Sequence, residues 1–478
     1  MVHTPKRLGL ALAAGLAALA IGTAAATPSG AIGPSTATTP YIVASQPGVV
    51  LKSVLTVGDS VNAKPNGEPY RLVGIPDGMG AFDNKDGSFT LLMNHELRAG
   101  LGATRAHGAN GAFVSKWTIR KRDLAVLKGE DLIQQVVTWN AATSSYNPPA
   151  AGVSFSRFCS ANLPARGAFY HDGVGYNGRI FMNGEENGPE GRAFAHLLDG
   201  TSYELPRLGK FSWENALANP DTGKKTVVIG TDDGTGGQLY VYIGKKTNSG
   251  SPVDRAGLTN GILYGVKVTG FTDENPDTGI PSGTKFTLIS LGNVENLTGA
   301  QLDAASDAAG ITHFQRPEDA EWDPRNSDDF YFATTASFIG QSRLWRLDFK
   351  DIERPEIGGK IELLLDGSEG PKMMDNLTVN RRGQVIIQED PGNQSYIAKI
   401  WRYDIARDRL TEIAQHDPAR FTPGAPGFLT QDEESSGVID VSSILGQGWY
   451  LLAVQAHYAT DAELVEGGQL LALRVPPK

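Results

Sequence analysis

The sequence has a single cysteine, Cys159, among 478 residues. This excludes a disulfide within the chain, so core burial and any bound metals must stabilise the folded state. Beyond its first residues the chain has no apolar run long enough to cross a bilayer, and no block of like charges that would predict a disordered tail. Its formal net charge is −10, which would repel a phosphate backbone, so nucleic acid is not an expected partner.

Several catalytic signatures are also absent. The sequence has no Gly-x-Ser-x-Gly elbow, no His-Glu-x-x-His, no Walker loop and no Cys-x-x-Cys. The glycine-rich stretch 234–237 is not surrounded by a βαβ pattern, which argues against a dinucleotide site. The common nucleotide, serine-hydrolase and zinc-protease sites are therefore not indicated.

The N-terminus predicts export. Lys6 and Arg7 precede the apolar stretch 8–25, which ends in small residues, so residues 1–26 are predicted to be a signal peptide. A transmembrane anchor is the alternative. A Thr/Ser/Pro-rich segment follows, and we interpret residues 27–40 as a flexible spacer and 41–478 as a single domain. The expected location is secreted or periplasmic, with no membrane contact after cleavage.

The remaining sequence predicts an all-β fold. Gly (57) and Pro (27) are numerous, and the apolar runs are short and bounded by turn residues. A unit recurs in which a strand runs into polar or acidic residues and a second strand follows after a loop. Its first strands are 89–96, 179–186, 226–233, 330–335, 384–390 and 450–457. We predict a β-propeller of six blades with long inserted loops and a few short helices.

Most of these units end in side chains suited to metal binding. The inner strands of a propeller run the same way along its channel, so their ends should meet at one mouth. Oxygen-rich clusters favour calcium, whereas each carboxylate taken alone could simply cap a turn or face solvent. The residues concerned are Glu96, Glu185, Glu186, Asp232, Asp233, Glu389, Asp390, Gln455 and His457.

Four further features add to this set. In Arg316-Pro317-Glu318 a fixed backbone separates a guanidinium, which could bind an oxyanion, from a carboxylate. Glu214 stands among aromatic residues and needs a partner if it is buried. An acidic cluster at 431–437 includes Glu434. Cys159 is either a buried structural thiol or, in an exported chain, a metal-bound thiolate.

These residues resemble those of the PhoX-type alkaline phosphatases, which are secreted β-propeller metalloenzymes. The resemblance covers most of the mature chain. It depends on Asn94-His95-Glu96, Gly184-Glu185-Glu186, the stretch 209–214, Arg316-Pro317-Glu318, and Asp375-Asn376-Leu377 leading into Glu389-Asp390.

The resemblance implies a centre of Fe3+ and Ca2+ with a cysteine thiolate, several carboxylates and an arginine that contacts phosphate. Cys159 would then bind iron, Glu214 and Glu318 would bind iron or calcium, and Arg316 would contact phosphate. The calcium sites would be completed by Glu96, Glu185, Glu186, Asp232, Asp390 and Glu434.

The leading hypothesis is a secreted phosphomonoesterase of a small phosphate ester, acting as a monomer. Its metals would bind phosphate oxygens, neutralise transition-state charge and replace a protein nucleophile, with Arg316 and Glu318 at the reaction centre. A calcium-dependent propeller phosphodiesterase, phytase or lactonase is an alternative, as is a non-catalytic calcium-binding surface propeller.

Overall fold

The computed structural model describes Met1 and residues 30–476, and strands predominate there. Its helices are short, and none of those in the described residues is long and apolar enough to span a bilayer. The predicted all-β class with a few short helices is confirmed. The helices are α1 (Pro252–Arg255), α2 (Gly299–Ala309), α3 (Pro418–Phe421) and α4 (Ser442–Leu445), with 3-10 turns at Arg166–Ala168, Pro206–Leu208, Pro355–Ile357 and Ile405–Arg407.

Five strands precede the repeating part of the fold. They are β1 (Ala31–Ile32), β2 (Ile42–Ala44), β3 (Val50–Thr56), β4 (Ser60–Ala63) and β5 (Pro69–Arg71). β1 pairs in parallel with β3, so this part of the predicted spacer lies against the sheet rather than standing free. The predicted signal peptide, residues 1–26, lies outside the described residues apart from Met1.

The next strands form two modules of mainly antiparallel sheet. Module 1 contains, in spatial order, β6 (Pro76–Asp83), β7 (Ser88–His95), β8 (Phe113–Arg120) and β9 (Val126–Asp131). Module 2 contains β10 (Gln135–Val137), the inserted hairpins β11 (Trp139–Asn140) with β12 (Ser145–Tyr146) and β13 (Tyr170–His171) with β14 (Val174–Gly175), then β15 (Ile180–Gly184), β16 (Ala193–Leu197) and β17 (Thr201–Glu204).

Modules 3 and 4 share one nine-stranded sheet. Module 3 contains β18 (Trp213–Ala218), β19 (Lys225–Asp232), β20 (Thr235–Gly237), β21 (Leu239–Lys245) and β22 (Ile262–Val268). β23 (Thr284–Gly292) joins it to module 4, which contains β24 (Phe314–Gln315), β25 (Pro317–Trp322), β26 (Asp329–Thr334), β27 (Arg343–Phe349) and β28 (Gly359–Leu365). The join runs from β22 through β23 to β28, away from the two end strands β18 and β25. β20 and β24 pair with each other in a separate two-stranded sheet, so the other nine strands make up the shared sheet.

The last two modules are completed by strands from the start of the chain. Module 5 contains β29 (Met374–Val379), β30 (Gln384–Glu389), β31 (Lys399–Asp404) and β32 (Arg409–His416), and β2 pairs with β32. Module 6 contains β33 (Glu433–Asp440), β34 (Trp449–Ala459) and β35 (Glu466–Arg474), and β3 pairs with β35. This pairing covers edges that the two sheets would otherwise expose.

The innermost strands contact one another around a central channel. β33 lies next to β6 and β29, β25 lies between β29 and β18, and the order matches the order of the modules. In module 2 the innermost position belongs to residues 158–162, which pair with β15 through Phe158–Glu185 and Asn162–Met182 bridges. Gly78 N–H donates to the Cys159 carbonyl (3.2 Å), which joins this segment to β6.

The hydrophobic core lies in layers between neighbouring modules. Val227 and Ile229 of β19 pack with Phe330 and Trp345 of module 4, whereas Val228 packs in the layer shared with module 2. Both faces of the strand are buried, so its sequence is a continuous apolar run instead of an alternating one. This arrangement explains why short, uniformly apolar strands recur along the chain.

Candidate metal centre

All six modules present one backbone connection at the same end of the channel. A residue at or near the end of the second strand donates its N–H to the carbonyl of the residue before the innermost strand, at 2.8 to 3.0 Å. The pairs are Glu96 to Ile75, Glu186 to Arg157, Asp233 to Ser212, Thr335 to Arg316, Asp390 to Met373, and His457 to Asp432. The same register therefore occurs six times.

This register defines two rings of side chains. The second residue of each innermost strand forms the inner ring: Asp77, Cys159, Glu214, Glu318, Asp375 and Glu434. The six N–H donors named above form the outer ring. In β6, β18, β25 and β29 the strand pairing shifts at this residue, and such bulges re-aim side chains.

The rings bring metal-ligating atoms together in three overlapping groups. Each group has its ligand atoms within 4.8 Å of one another, and all members are buried. Cys159 belongs to two groups and Glu214 to two, so the groups form one continuous set. They are Asp77 with Glu96 and Cys159, Cys159 with Glu186 and Glu214, and Glu214 with Glu318 and Asp375.

The buried acids of this cluster raise one another's pKa. Burial, followed by the charge of Glu96, raises the pKa of Asp77 to about 7. Burial, followed by neighbouring carboxylates, also places the pKa values of Cys159, Glu214 and Asp375 well above their ordinary values. A bound cation would reverse these pKa shifts, because it favours the ionised form of the buried acids.

Two oxygen atoms show where a cation would fit. Asp375 Oδ1 is buried and receives no hydrogen bond within the described residues. Glu318 Oε1 lies 2.9 Å from Arg316 Nη2 but receives no well-aligned hydrogen bond. Buried polar atoms nearly always have a hydrogen-bond partner, so these two oxygens are candidates for contact with a bound cation. The donor set, mostly carboxylate with one thiol, suits metal ions.

Two arginines, Arg157 and Arg316, border the cluster. Arg316 donates from Nε and Nη2 to the two oxygens of Asp233, both at 2.8 Å. Burial alone would lower the pKa of its guanidinium, but Glu318 and Asp233 raise it above its ordinary value. The Arg316 side chain is 32% exposed, and its Nη1 makes no hydrogen bond within residues 30–476. A protonated, partly exposed guanidinium thus faces the end of the channel that carries the two rings, which we call the metal end.

A layer of hydrogen-bonded polar residues closes the channel beneath the inner ring. We call it the floor, and it consists of the third residues of the innermost strands, chiefly Ser160, Asn215, Asp319 and Asn376. Asn376 Nδ2 donates to Ser160 Oγ (2.7 Å), which joins module 5 to module 2 across the channel. Ser160 Oγ in turn donates to Glu214 Oε1 (2.5 Å).

On the other side of the floor lies a separate cavity of about 570 Å3. Asn215 and Asp319 line its inner end, and Arg381 and Asp440 line it further out. No member of the inner ring lines it. The cavity is therefore separate from the predicted ligands, which lie at the metal end.

The structure brings together many of the predicted ligands. Glu96, Cys159, Glu186, Glu214 and Glu318 lie in the three groups. Asp390 and Glu434 lie on the two rings but outside these groups. Burial raises the pKa of both carboxyls.

Two predicted ligands lie one residue away from the rings. Glu185 accepts from Arg192 (2.6 and 2.8 Å) and from Ser156 N–H, and Asp232 accepts from Ser212 N–H (3.1 Å). Neither belongs to any of the three groups. Gln455 instead donates from Nε2 to Asp77 (2.9 Å) and to Glu96 (3.3 Å).

The expectation that these acids end the inner strands needs correction. β7, β19, β26, β30 and β34 are the second strands of their modules, and only β15 adjoins the channel segment 158–162. The true innermost strands have polar residues near their starts, mainly at the second and third positions, because they line a polar channel, so they have the composition of loops. Asp77 and Asp375 were missed as ligands for this reason. Ile75-Pro76-Asp77 repeats the pattern of Arg316-Pro317-Glu318, and this similarity could have identified the first of them.

Comparison with known proteins supports the resemblance. Residues 198–355 match the sequence model of the family described as Alkaline phosphatase PhoX. Among solved structures, Pseudomonas fluorescens PhoX in complex with vanadate, a transition state analogue, has a TM-score of 0.68 at 14% identity and covers 93% of this chain and 98% of its own. The resemblance to PhoX-type proteins and the propeller class are confirmed. The number of blades stays a prediction, because one sheet spans modules 3 and 4.

Weaker similarities carry no argument. Trypanosoma rangeli sialidase has a TM-score of 0.39 at 11% identity and covers 90% of this chain and 60% of its own. A putative 6-phosphogluconolactonase from Bacteroides uniformis has a TM-score of 0.34 at 8% identity and covers 70% and 82%. None of the curated proteins compared matches the chain.

Proposed function

We propose that this chain is an exported metal-dependent phosphomonoesterase that acts on small phosphate esters. The observation that carries the proposal is the continuous set of buried ligands, Asp77 to Asp375 through Cys159 and Glu214, with Arg316 beside it. The match of residues 198–355 to the PhoX family supports the same chemistry. The apolar N-terminal stretch supports export, and we propose a monomer.

The two kinds of ligand group favour two kinds of ion. We propose that groups containing the Cys159 thiolate hold Fe3+, and that the all-oxygen group of Glu214, Glu318 and Asp375 holds Ca2+. Glu96, Glu186, Asp390 and Glu434 would complete the ligand set from the rings. Bound there, the metals would supply Lewis-acid polarisation of the phosphoryl group and lower the pKa of water.

The chain's own residues would orient the ester. Arg316 is fixed by Asp233 through Nε and Nη2, which leaves Nη1 to donate to a phosphoryl oxygen. Glu318 would hold both the cation and Arg316, and so couple the metal to the anion contact. Ser160 is not free to act as a nucleophile, because its hydroxyl donates to Glu214 and accepts from Asn376.

The test is metal analysis of purified protein with assays on p-nitrophenyl phosphate, bis-p-nitrophenyl phosphate, phytate and a lactone. We expect iron and calcium, with p-nitrophenyl phosphate as the best substrate. Cys159→Ala should lose iron and activity together. If iron is absent and the variant retains full activity, the thiolate assignment is wrong.

The same assay separates the other functions. A preference for bis-p-nitrophenyl phosphate, phytate or the lactone would replace the monoesterase by that activity. Calcium without iron and without turnover on any substrate would indicate a non-catalytic calcium-binding propeller.

A further inference from the structure

We propose that Arg157 is a second anion-binding guanidinium, so that the site takes a dianionic phosphoryl group between Arg157 and Arg316. This inference rests on the proposed function and assigns to Arg157 part of its preference for monoesters, which carry two charges near neutral pH, over diesters, which carry one.

The first argument is equivalence of position. Arg157 and Arg316 each stand immediately before an innermost strand, and the carbonyl of each accepts the sixfold backbone hydrogen bond. Both have a left-handed backbone, with φ of 49° and 63°. Ile75 and Met373, which precede β6 and β29, have the same conformation (φ of 50° and 47°), so it belongs to the common register, which places the two arginines in equivalent positions.

The second argument is the way each side chain is held. Arg157 donates from Nε to Glu96 (2.7 Å) and lies with Nη2 2.5 Å from Glu186. Glu96 belongs to the outer ring of the preceding module, as Asp233 does for Arg316. In both arginines Nε and Nη2 are committed to carboxylates, while Nη1 makes no hydrogen bond within the described residues.

The third argument is exposure to solvent and contact with the same set of ligands. The Arg157 side chain is 29% exposed, close to the 32% of Arg316, so each guanidinium reaches solvent at the metal end. Arg157 pairs with Glu186 and Arg316 pairs with Glu318, and these two carboxylates belong to ligand groups that share Glu214. Glu186 also shares a ligand group with Cys159 and Glu214. The two guanidiniums therefore flank the same ligands.

Arg157 could instead only neutralise Glu96 and Glu186, and the experiment must distinguish the two roles. The variants are Arg157→Gln and Arg157→Lys in the metal-loaded protein. The matched control is Arg192→Gln, since Arg192 pairs with Glu185 next to Glu186 and is 25% exposed, yet contacts no ring residue. Metal content, the inhibition constant of inorganic phosphate, and kcat/KM on p-nitrophenyl phosphate and bis-p-nitrophenyl phosphate are measured for each.

We expect Arg157→Gln to raise the inhibition constant of phosphate about 10-fold or more and to lower the monoester-to-diester ratio of kcat/KM by a similar factor. Metal content should equal that of the wild type, and Arg192→Gln should change none of these values. Arg157→Lys, which keeps the charge but not the planar fork, should fall between them.

An unchanged inhibition constant and ratio in a metal-loaded Arg157→Gln protein would overturn the proposal. If that variant loses metal, Arg157→Lys decides: with metal retained, wild-type phosphate inhibition overturns the proposal and weakened inhibition supports it. If the wild type hydrolyses no ester, calorimetric titration with inorganic phosphate replaces the inhibition constant. Weaker binding to Arg157→Gln would then support the anion site even though the phosphatase function had failed.

Discussion

Two adjacent layers of the channel handle buried carboxylates in opposite ways. In the inner ring, Glu318 receives no well-aligned hydrogen bond at Oε1, and burial with neighbouring acids raises its pKa well above the ordinary value. One residue further, in the floor, Asp319 accepts from Asn215 Nδ2 (2.6 Å), Ala320 N–H (2.7 Å) and Leu377 N–H (3.1 Å). At this pair of positions the fold supplies N–H donors to the carboxylate of the floor and leaves Oε1 of the inner-ring carboxylate without a well-aligned donor.

Metal removal should have the largest effect on this comparison. Chelation of iron and calcium should lower phosphatase activity by about 1000-fold or more, because metals would supply several kcal/mol of charge stabilisation. It should also lower the melting temperature, since ions that bind only the folded state stabilise it. Activity and calorimetry before and after metal is restored check both, and a chelated protein with full activity would refute the metal centre.

The substitutions Glu318→Gln and Asp319→Asn compare the two layers directly. Glu318→Gln should lose metal, because it removes a metal ligand. The fall in kcat/KM should correspond to about 4 kcal/mol of transition-state stabilisation. Asp319→Asn should retain metal but destabilise folding by about 1–3 kcal/mol, because the new amide meets N–H donors. Metal content and urea unfolding separate the two, and equal effects in both variants would abolish the distinction between the layers.

Removal of the Arg316 guanidinium, which pairs with Glu318, should lower activity, whereas removal of an arginine near the opposite end of β25 should not. Arg316→Gln should cost about 2–4 kcal/mol of transition-state stabilisation. Arg325→Gln is the matched control, because Arg325 binds Asp323 through Nε and Nη2 (2.9 and 2.6 Å) beyond the opposite end of β25. kcat/KM on p-nitrophenyl phosphate is the measurement, and a similar loss in both variants would argue against an anion contact.

The smallest effect on activity is expected from the floor. Asn376→Ala removes the hydrogen bond to Ser160 across the channel and should destabilise folding by about 1–3 kcal/mol while activity falls less than about 10-fold. Asn380→Ala, a buried asparagine that binds Tyr450 instead, should lose similar stability without loss of activity. Urea unfolding and metal content are measured together, and complete loss of metal in Asn376→Ala would place the floor within the metal site.

Much of the fold could be predicted from the sequence because its strands are short, apolar and bounded by turn residues. Runs such as 226–229 are buried on both faces, so they are readable without knowledge of their partners. The closing strands were not predictable: β2 and β3 pair with β32 and β35 over more than 350 residues of chain. Such pairing leaves no local pattern in the residues that take part in it.

The sequence by itself determined the donor types of the candidate site: one thiol, many carboxylates and a guanidinium before Pro317. The tertiary structure decided which of them meet. It added Asp77 and Asp375 to the set and paired Glu185 with Arg192 and Asp232 with backbone, one residue from the rings. The reason is the two-residue period of a strand, since a shift of one residue turns a side chain to the other face. That register is fixed by pairing with distant strands, not by the local sequence.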